Sequence, residues 1–233
     1  MLMRSARPWD LTPFARYDRP TMGAPDYDGF PRTREYLDSL PAGLESYPEV
    51  QIKGSMARGM IELQPKNFEL AALPPQLRPL FENPPLVSQW VPEVHLIAMC
   101  CAMREAFFES DEAYLQWVRQ GLRQIFAGPL YRMVFALFSP TRLVKSSTRR
   151  WGAIRRGTQR ELVELNVNGN LGRVRYPPRL YNDLYAKVLL EGLLTAYQLS
   201  RAPNPIGEVL EVAEHSTLLE IIYNRARPRG EPL

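Results

Sequence analysis

The last third of the chain alternates between apolar and polar residues in two segments that flank a helical one. Residues Glu161–Tyr176 alternate on both sides of an Asn-Gly-Asn turn, with Val163 and Leu165 on one face. Residues Asn182–Ser200 place apolar side chains at helical spacing, and Gly207–Asn224 alternate again. A period of two is typical of strands with one buried face, and short polar turns join such strands into hairpins. The pattern predicts a hairpin, a helix and a second hairpin, which together form a four-stranded antiparallel sheet.

The middle of the chain has the periodicity of helices. Apolar residues recur at nearly every turn of Pro92–Phe108, which predicts a well-buried helix. Ser110 precedes Asp111–Gly128, whose first turn is acidic, and this arrangement is typical of a capped helix N-terminus. Further helices are predicted for Gln51–Gln64 and Leu130–Ser139, each followed by a proline. The predicted fold class is therefore α+β, with a helical N-terminal half packed on the C-terminal sheet.

Residues 1–48 differ from the rest because prolines recur every few positions, which disfavours long helices and central strands. Aromatic residues are also frequent there, whereas disordered tails are usually poor in aromatics. We interpret residues 1–48 as a proline-rich arm that packs on the body or on a partner subunit, with a flexible tail as the alternative. Residues 49–226 are predicted to form one α+β ligand-binding domain, and residues 227–233 a C-terminal tail.

Composition narrows the class of protein further. A chain of 233 residues is long enough to bury a sizeable core, and its net charge of +4 is only mildly basic. The two cysteines, Cys100 and Cys101, are neighbours that cannot easily bridge each other, so reduced thiols are expected. The first twenty residues contain no apolar run typical of a signal peptide, and no segment has the apolar length of a membrane span. We expect a cytoplasmic protein.

The sequence contains none of the common catalytic motifs. It has no phosphate-binding loop, no dinucleotide fingerprint, no nucleophile elbow, and no paired cysteines or histidines at metal-binding spacing. We therefore expect a protein without enzymatic activity, metal or cofactor. The enzymatic alternative is an unrecognised acid–base site formed by Glu105, Glu191, His95 and Tyr131.

A basic run without any acidic residue between Pro140 and Arg160 is the strongest polar signal. The residues predicted to bind an acidic ligand or partner are Arg142, Lys145, Arg149, Arg150, Trp151, Arg155 and Arg156. Such a cluster attracts phosphates, nucleic acid or an acidic peptide. A solvated helix face is the simpler alternative. Nucleic acid is disfavoured because no recognition motif and no interleaved aromatic residues accompany the charges.

Aromatic side chains are candidates for the wall of a pocket between the helices and the sheet. The candidate pocket residues are Trp90, His95, Trp117, Tyr131 and Phe135. Aromatic clusters are also ordinary core, so this interpretation stays open. His95 lies on an apolar helix, either as a haem or metal ligand or as a neutral histidine bonded to a backbone carbonyl. His215 is predicted to lie in solvent at a hairpin tip.

Four short motifs accompany this order of elements. They are Val50–Gly59 at the start, Arg-x-Trp at Arg149–Trp151 after an apolar helix, Glu-Leu-x-Val at Glu164–Val167, and Leu-Leu-Glu-Gly-Leu-Leu at Leu189–Leu194. Over roughly residues 50–226 the chain resembles a paralogous bacterial family of unknown function. That family is distantly related to the V4R and haem-nitric-oxide-binding (H-NOX) small-ligand-binding domains.

The resemblance implies a ligand-binding module and, from the V4R branch, small or lipid-like ligands and a homodimer. Haem-binding relatives carry a proximal histidine on the apolar helix before the sheet. The corresponding segment here, Leu130–Ser139, contains no histidine. The resemblance therefore argues against haem.

Together these patterns predict a non-enzymatic binding protein for a small molecule or a peptide, held between the helical half and the sheet. A more specific hypothesis is an accessory protein that binds a substrate peptide for partner enzymes in a natural-product biosynthetic pathway. The alternatives are a haem-free sensory or regulatory module of the V4R or H-NOX type, and a regulator that contacts nucleic acid through residues 142–160.

Overall fold

The structure, a computed structural model, describes residues 27–128, 139–200, 202 and 204–223. The helices are α1 (Pro31–Asp38), α2 (Gly54–Glu62), α3 (Pro79–Glu82), α4 (Glu93–Phe107), α5 (Asp111–Phe126), α6 (Pro140–Ile154) and α7 (Asp183–Leu199). The strands are β1 (Gln51–Lys53), β2 (Trp90–Pro92), β3 (Arg155–Arg156), β4 (Gln159–Leu165), β5 (Gly169–Arg175), β6 (Ile206–Val212) and β7 (Ser216–Ile222). Within these ranges no helix is both long and apolar enough to cross a membrane. The helix predicted for Leu130–Ser139 lies outside the described residues except for Ser139.

The predicted hairpin, helix and hairpin are confirmed. Strands β4 to β7 form one antiparallel sheet in the order β4-β5-β7-β6, so the two hairpins meet along β5 and β7. The face that carries Val174, Leu219 and Ile221 is buried, and α7 packs against it. The fold class is α+β as predicted, with the helices of the N-terminal half preceding the sheet.

A second, three-stranded sheet in the order β2-β1-β3 was not predicted. Gln51–Lys53 was assigned to a helix, but these residues form β1, and α2 begins only at Gly54. The helix predicted for Pro92–Phe108 begins one residue later, at Glu93, because Pro92 ends β2. The prediction was wrong because these strands have only two or three residues, and their partners lie far away in sequence. Such short strands leave no local alternation to detect.

Helix α4 is the centre of the core, since every residue from Leu96 to Met103 is buried. The neighbouring helix α5 begins as predicted, because the Ser110 hydroxyl accepts a hydrogen bond from the Ala113 amide at 3.2 Å. Helix α7 begins in the same way at Asn182, whose side-chain oxygen accepts from a backbone amide at 2.9 Å. These caps fix the first turns of α5 and α7, which pack against each other.

Residues 27–48 belong to the predicted arm, and their main element, α1, packs against α4. The Glu105 carboxylate on α4 accepts hydrogen bonds from the backbone amides of Arg32 (2.6 Å) and Thr33 (3.1 Å). A carboxylate at this position satisfies free amides in the first turn of α1. The Tyr36 hydroxyl donates to the Leu180 carbonyl at 2.9 Å and so ties α1 to the segment before α7. The division into arm, domain and tail stays a prediction.

Asp111 is expected to make stability depend on pH in acid. Its carboxylate accepts hydrogen bonds from Arg32 (2.6 Å) and Arg104 (2.7 Å). The bond from Arg32 lowers the pKa of Asp111 from 3.8 to about 2. A lowered carboxyl pKa contributes stability that is present above the unfolded-state pKa and is lost as the pH falls towards the folded-state pKa. Asp111→Asn should therefore flatten the stability curve between about pH 4 and about pH 2.

Urea unfolding across the acid range measures this effect, with Glu112→Gln as the matched control. Glu112 is an exposed carboxylate in the same helical turn. An unchanged acid limb in Asp111→Asn would contradict the assignment.

Candidate ligand-binding site

The structure divides the residues of the basic run into an exposed set and a buried set. The exposed residues are Arg142, Lys145, Arg149 and Arg150 on α6 and Arg156 on β3. The buried ones are Trp151, Arg155 and Arg160. Arg155 and Arg160 point inward because side chains alternate between the two faces of an extended strand. One continuous basic surface, as the sequence suggested, does not form.

Arg155 belongs to a buried polar cluster. It forms an ion pair with Glu93 at the start of α4, and both side chains are buried. The hydroxyls of Tyr181 and Tyr185 donate to Glu93 Oε1 at 2.9 and 2.8 Å. Arg155 Nη1 donates to both of these hydroxyl oxygens at 3.1 Å. Burial raises the pKa of Tyr185, so its phenol stays protonated and can donate. The cluster joins α4, β3 and α7.

Two predicted ligand-binding residues are therefore corrected. Arg155 is neutralised by Glu93 and has no access to a partner in solvent. Trp151 is buried, and its indole Nε1 donates to Thr158 Oγ1 at 2.9 Å, so it belongs to the core. No sequence pattern links Glu93 to Arg155, because Glu93 lies in an apolar helix more than sixty positions away. An acidic residue directly before the apolar stretch of such a helix is the one sign that could have raised the question.

Arg160 is the second buried arginine, and it differs from Arg155 in its partners. It lies on β4 opposite Val174, on the face of the sheet that α7 covers, and is 7% exposed. Desolvation lowers its pKa, and the Tyr197 hydroxyl on α7 is its hydrogen-bond partner. No carboxylate of the described residues forms an ion pair with it.

The side chain of Asn170, which shares the Tyr197 hydroxyl with Arg160, also lacks a partner for one of its atoms. The Asn170 side chain is 4% exposed and donates through Nδ2 to the Tyr197 hydroxyl at 3.1 Å. Its Oδ1 has no hydrogen-bond partner within the described ranges. The ring of Tyr223 stacks on Tyr197 with centroids 5.3 Å apart. Arg160, Asn170, Tyr197 and Tyr223 are called the Arg160 cluster below. This cluster contains a buried cation and a free acceptor, and burial of either is costly without a partner.

The structure brings two other predicted residues together on the surface. The Arg156 guanidinium lies over the Trp90 ring with its carbon 3.9 Å from the ring centroid. Lys53 Nζ lies 4.6 Å from the same centroid. The register of the small sheet produces this stack, because Lys53 pairs with Trp90 while Arg156 pairs with Gln51. Trp90 therefore lies at the surface between two cations.

The remaining pocket candidates do not join this group. Trp117 packs on Phe108 and Tyr114 at centroid distances of 5.3 and 5.7 Å, so it extends the core. His95 is half-buried and bonded to the Leu44 backbone, and burial lowers its pKa, as expected for a neutral histidine. Tyr131 and Phe135 lie outside the described residues. His215 is exposed in the β6–β7 turn, as predicted.

The acid–base residues of the enzymatic alternative have separate structural partners. Glu105 caps α1. Glu191 accepts two hydrogen bonds at 2.6 Å from Arg119 and so ties α7 to α5. His95 is bonded to the Leu44 backbone. Glu105, Glu191 and His95 thus each have a partner on a different element and form no acid–base pair with one another, while Tyr131 lies outside the described residues.

Two open cavities lie at the surface of the described part. One, of about 450 Å³, is formed by the β4–β5 turn and the ends of β6 and β7. The other, of about 540 Å³, lies between α1, the start of α7 and the β6–β7 turn. Its cations already have acidic neighbours: Arg32 binds Asp111 at 2.6 Å, and Arg179 lies 3.6 Å from Glu214. Both arginines that line the larger cavity are therefore already paired with a carboxylate.

Comparison with solved structures places the chain in a structural class. A structure that probes the function of haem distortion in the H-NOX family has a TM-score of 0.51 and 11% identity, covering 78% of this chain and 100% of that one. A Cs H-NOX mutant with 4-cyano-L-phenylalanine at site 5 has a TM-score of 0.51 and 10% identity, covering 76% and 98%. The sequence matches no protein family profile and no curated protein. The protein has an H-NOX-like α+β fold.

The residues of this chain do not fit the haem that is named for that structural neighbour. The sequence has two histidines, of which His95 is bonded to the backbone and His215 is exposed at a turn. Cys100 and Cys101 are fully buried, and burial raises the pKa of each thiol to about 12, so neither is a thiolate ligand. Within the described ranges no three His, Cys, Asp or Glu residues are grouped to hold a metal ion. The described residues therefore provide no axial ligand for haem.

Proposed function

We propose that this protein is a non-enzymatic binding module that uses the H-NOX-like fold to hold a small anionic molecule without haem. The observation that carries the proposal is Arg160, a buried arginine with no carboxylate partner in the described part of the structure. A carboxylate or phosphate group of a ligand would neutralise it. The class of module is then a haem-free sensor or carrier related in fold to H-NOX domains.

The chemistry of the Arg160 cluster supports this ligand class. A guanidinium binds a carboxylate or phosphate through two parallel hydrogen bonds, which fixes the orientation of the anion. Asn170 Oδ1 accepts only, so it would take a hydroxyl or amine of the same ligand. The Tyr197 and Tyr223 rings offer an apolar wall. The proposed ligand therefore carries an anionic group, a nearby donor and an apolar portion.

Native mass spectrometry of the protein isolated from its own source tests the proposal. We expect a discrete extra mass that is retained through purification and is lost in Arg160→Met. Arg58→Met is the matched control, because Arg58 is a surface arginine on α2 whose partner is Glu62. An extra mass that persists in Arg160→Met would place the ligand elsewhere. A bare protein mass in the parent, together with no thermal stabilisation by small carboxylates or phosphates, would reject the proposal.

A peptide ligand is the second candidate, and the exposed face of α6 favours it. Arg142, Lys145 and Arg149 are exposed at spacings of three and four on this helix. These three cations would attract an acidic segment of a substrate peptide, and the protein would then present that peptide to partner enzymes of a biosynthetic pathway. Nucleic acid is the less favoured partner for this face of α6. A homodimer would present two copies of the face.

The peptide candidate predicts submicromolar binding of a pathway peptide. Charge reversal at Arg149 and Arg150 should abolish it, while reversal at Arg58 on α2 should leave it unchanged. Peptides that are recovered on the immobilised full chain and identified by mass spectrometry provide the probe. Equal retention by the α6 variant and the Arg58 variant would sink this candidate without affecting the Arg160 cluster.

A further inference from the structure

The segment between α3 and β2 displays two aliphatic side chains to solvent on a firmly held turn. Leu86 and Val87 are 66% and 59% exposed, whereas most large apolar residues of the helical half are buried or half-buried. The turn is closed by Gln89, whose amide donates to the Leu86 carbonyl at 2.9 Å and whose side chain accepts from the Leu86 amide at 3.0 Å. The exposure of this pair is therefore built into an ordered turn.

The start of α2 anchors the same turn. The Gly54 amide donates to the Gln89 carbonyl at 2.7 Å, and the Ser55 amide donates to the Val87 carbonyl at 3.2 Å. A Cβ at Gly54 would overlap the Leu86 carbonyl oxygen, so this close approach requires glycine. Hydrogen bonds from these two amides of the first turn of α2 thus hold the turn so that its apolar tip, Leu86 and Val87, faces solvent.

Two cations and an indole lie beside this tip. Lys53 Nζ donates to the Ser88 carbonyl at 2.9 Å, which places its charge at the base of the turn. Lys53 and Arg156 also lie over the Trp90 ring. Within the described ranges neither cation forms an ion pair with a carboxylate. Leu86, Val87, Trp90, Lys53 and Arg156 are called the Leu86 surface.

We propose that the Leu86 surface docks the protein on an anionic lipid bilayer. Aliphatic tips enter the boundary between headgroups and acyl chains, an indole prefers the headgroup level, and cations bind the lipid phosphates. The surface projects outward, and neither cavity described above includes any of its residues. A projecting apolar tip suits a deformable lipid surface better than a rigid protein partner, which would need a matching pocket. Docking is reversible, since two aliphatic side chains give only a weak anchor.

Vesicle co-sedimentation of the full chain tests this docking. We expect binding to vesicles of phosphatidylcholine mixed with phosphatidylglycerol and little binding to phosphatidylcholine alone. Leu86→Ser/Val87→Ser should reduce binding to the mixed vesicles by about tenfold or more, because it removes the apolar insertion. Lys53→Gln/Arg156→Gln should reduce it by a similar factor, since each cation near an anionic surface contributes roughly fivefold.

Lys66→Gln/Lys187→Gln is the matched control, because it removes the same number of positive charges from exposed positions outside both the Leu86 surface and the exposed face of α6. A smaller loss in this control than in Lys53→Gln/Arg156→Gln supports a localised surface, whereas equal losses would show only net-charge attraction and overturn the proposal. Binding that Leu86→Ser/Val87→Ser leaves intact would also overturn it. Binding of soluble polyglutamate without binding of mixed vesicles would identify an acidic protein partner instead of a bilayer.

Discussion

Replacing Arg155 with methionine should lower the free energy of unfolding by about 3–5 kcal/mol, the usual cost of removing one partner of a buried ion pair. Glu93 is fully buried; its Oε1 pairs with Arg155, and its Oε2 has no hydrogen-bond partner within the described ranges. The variant therefore leaves a carboxylate without a cation in the core. Tyr181 and Tyr185 still donate to it, but two neutral donors do not replace the charge.

Urea unfolding at neutral pH measures this loss, and Glu93→Gln/Arg155→Met is the control that isolates its cause. Glutamine keeps an acceptor for the two tyrosine hydroxyls and removes the uncompensated charge, so the double variant should recover most of the lost stability. A double variant that is as unstable as Arg155→Met would show that the arginine stabilises by packing and not by neutralising Glu93.

Replacing Arg160 with methionine should have the opposite effect on the free energy of unfolding of the ligand-free protein. A buried cation without a carboxylate partner costs stability, so its removal should raise the free energy of unfolding by about 1–3 kcal/mol. The lost hydrogen bond to Tyr197 offsets part of this gain. The same variant should lose the bound mass. An Arg160→Met variant that is more stable but no longer binds the ligand is the result expected for a binding residue that destabilises the ligand-free protein.

The comparison of the two arginines is a sharp test because they have the same side chain, lie five positions apart and are both 7% exposed. Unfolding curves of ligand-free Arg155→Met and Arg160→Met should move in opposite directions. If Arg160→Met loses as much stability as Arg155→Met, then Arg160 already has a full set of internal partners. That result would remove the main support for an anionic ligand.

The longer elements were predictable because their signals are local. The alternation of Glu161–Tyr176 and of Gly207–Asn224 identified the two hairpins, and Ser110 identified the start of α5. The small sheet could not be predicted, since its pairing of Gln51 with Arg156 crosses most of the helical half. Periodicity reports the neighbours of a residue along the chain and says nothing about a distant partner.

The candidate sites show the same limit. The sequence alone determined that positive charge is concentrated between Pro140 and Arg160, that two lone histidines cannot form an ordinary metal site, and that the last third of the chain is a sheet with one helix. Only the tertiary structure decided which of those charges face water. Because side chains alternate along a strand, Arg155 and Arg160 are both buried. The packing of α4 places Glu93 beside Arg155, whereas no carboxylate within the described part pairs with Arg160. The charge of an arginine is a property of its side chain, but whether that charge needs a ligand depends on what the fold places beside it.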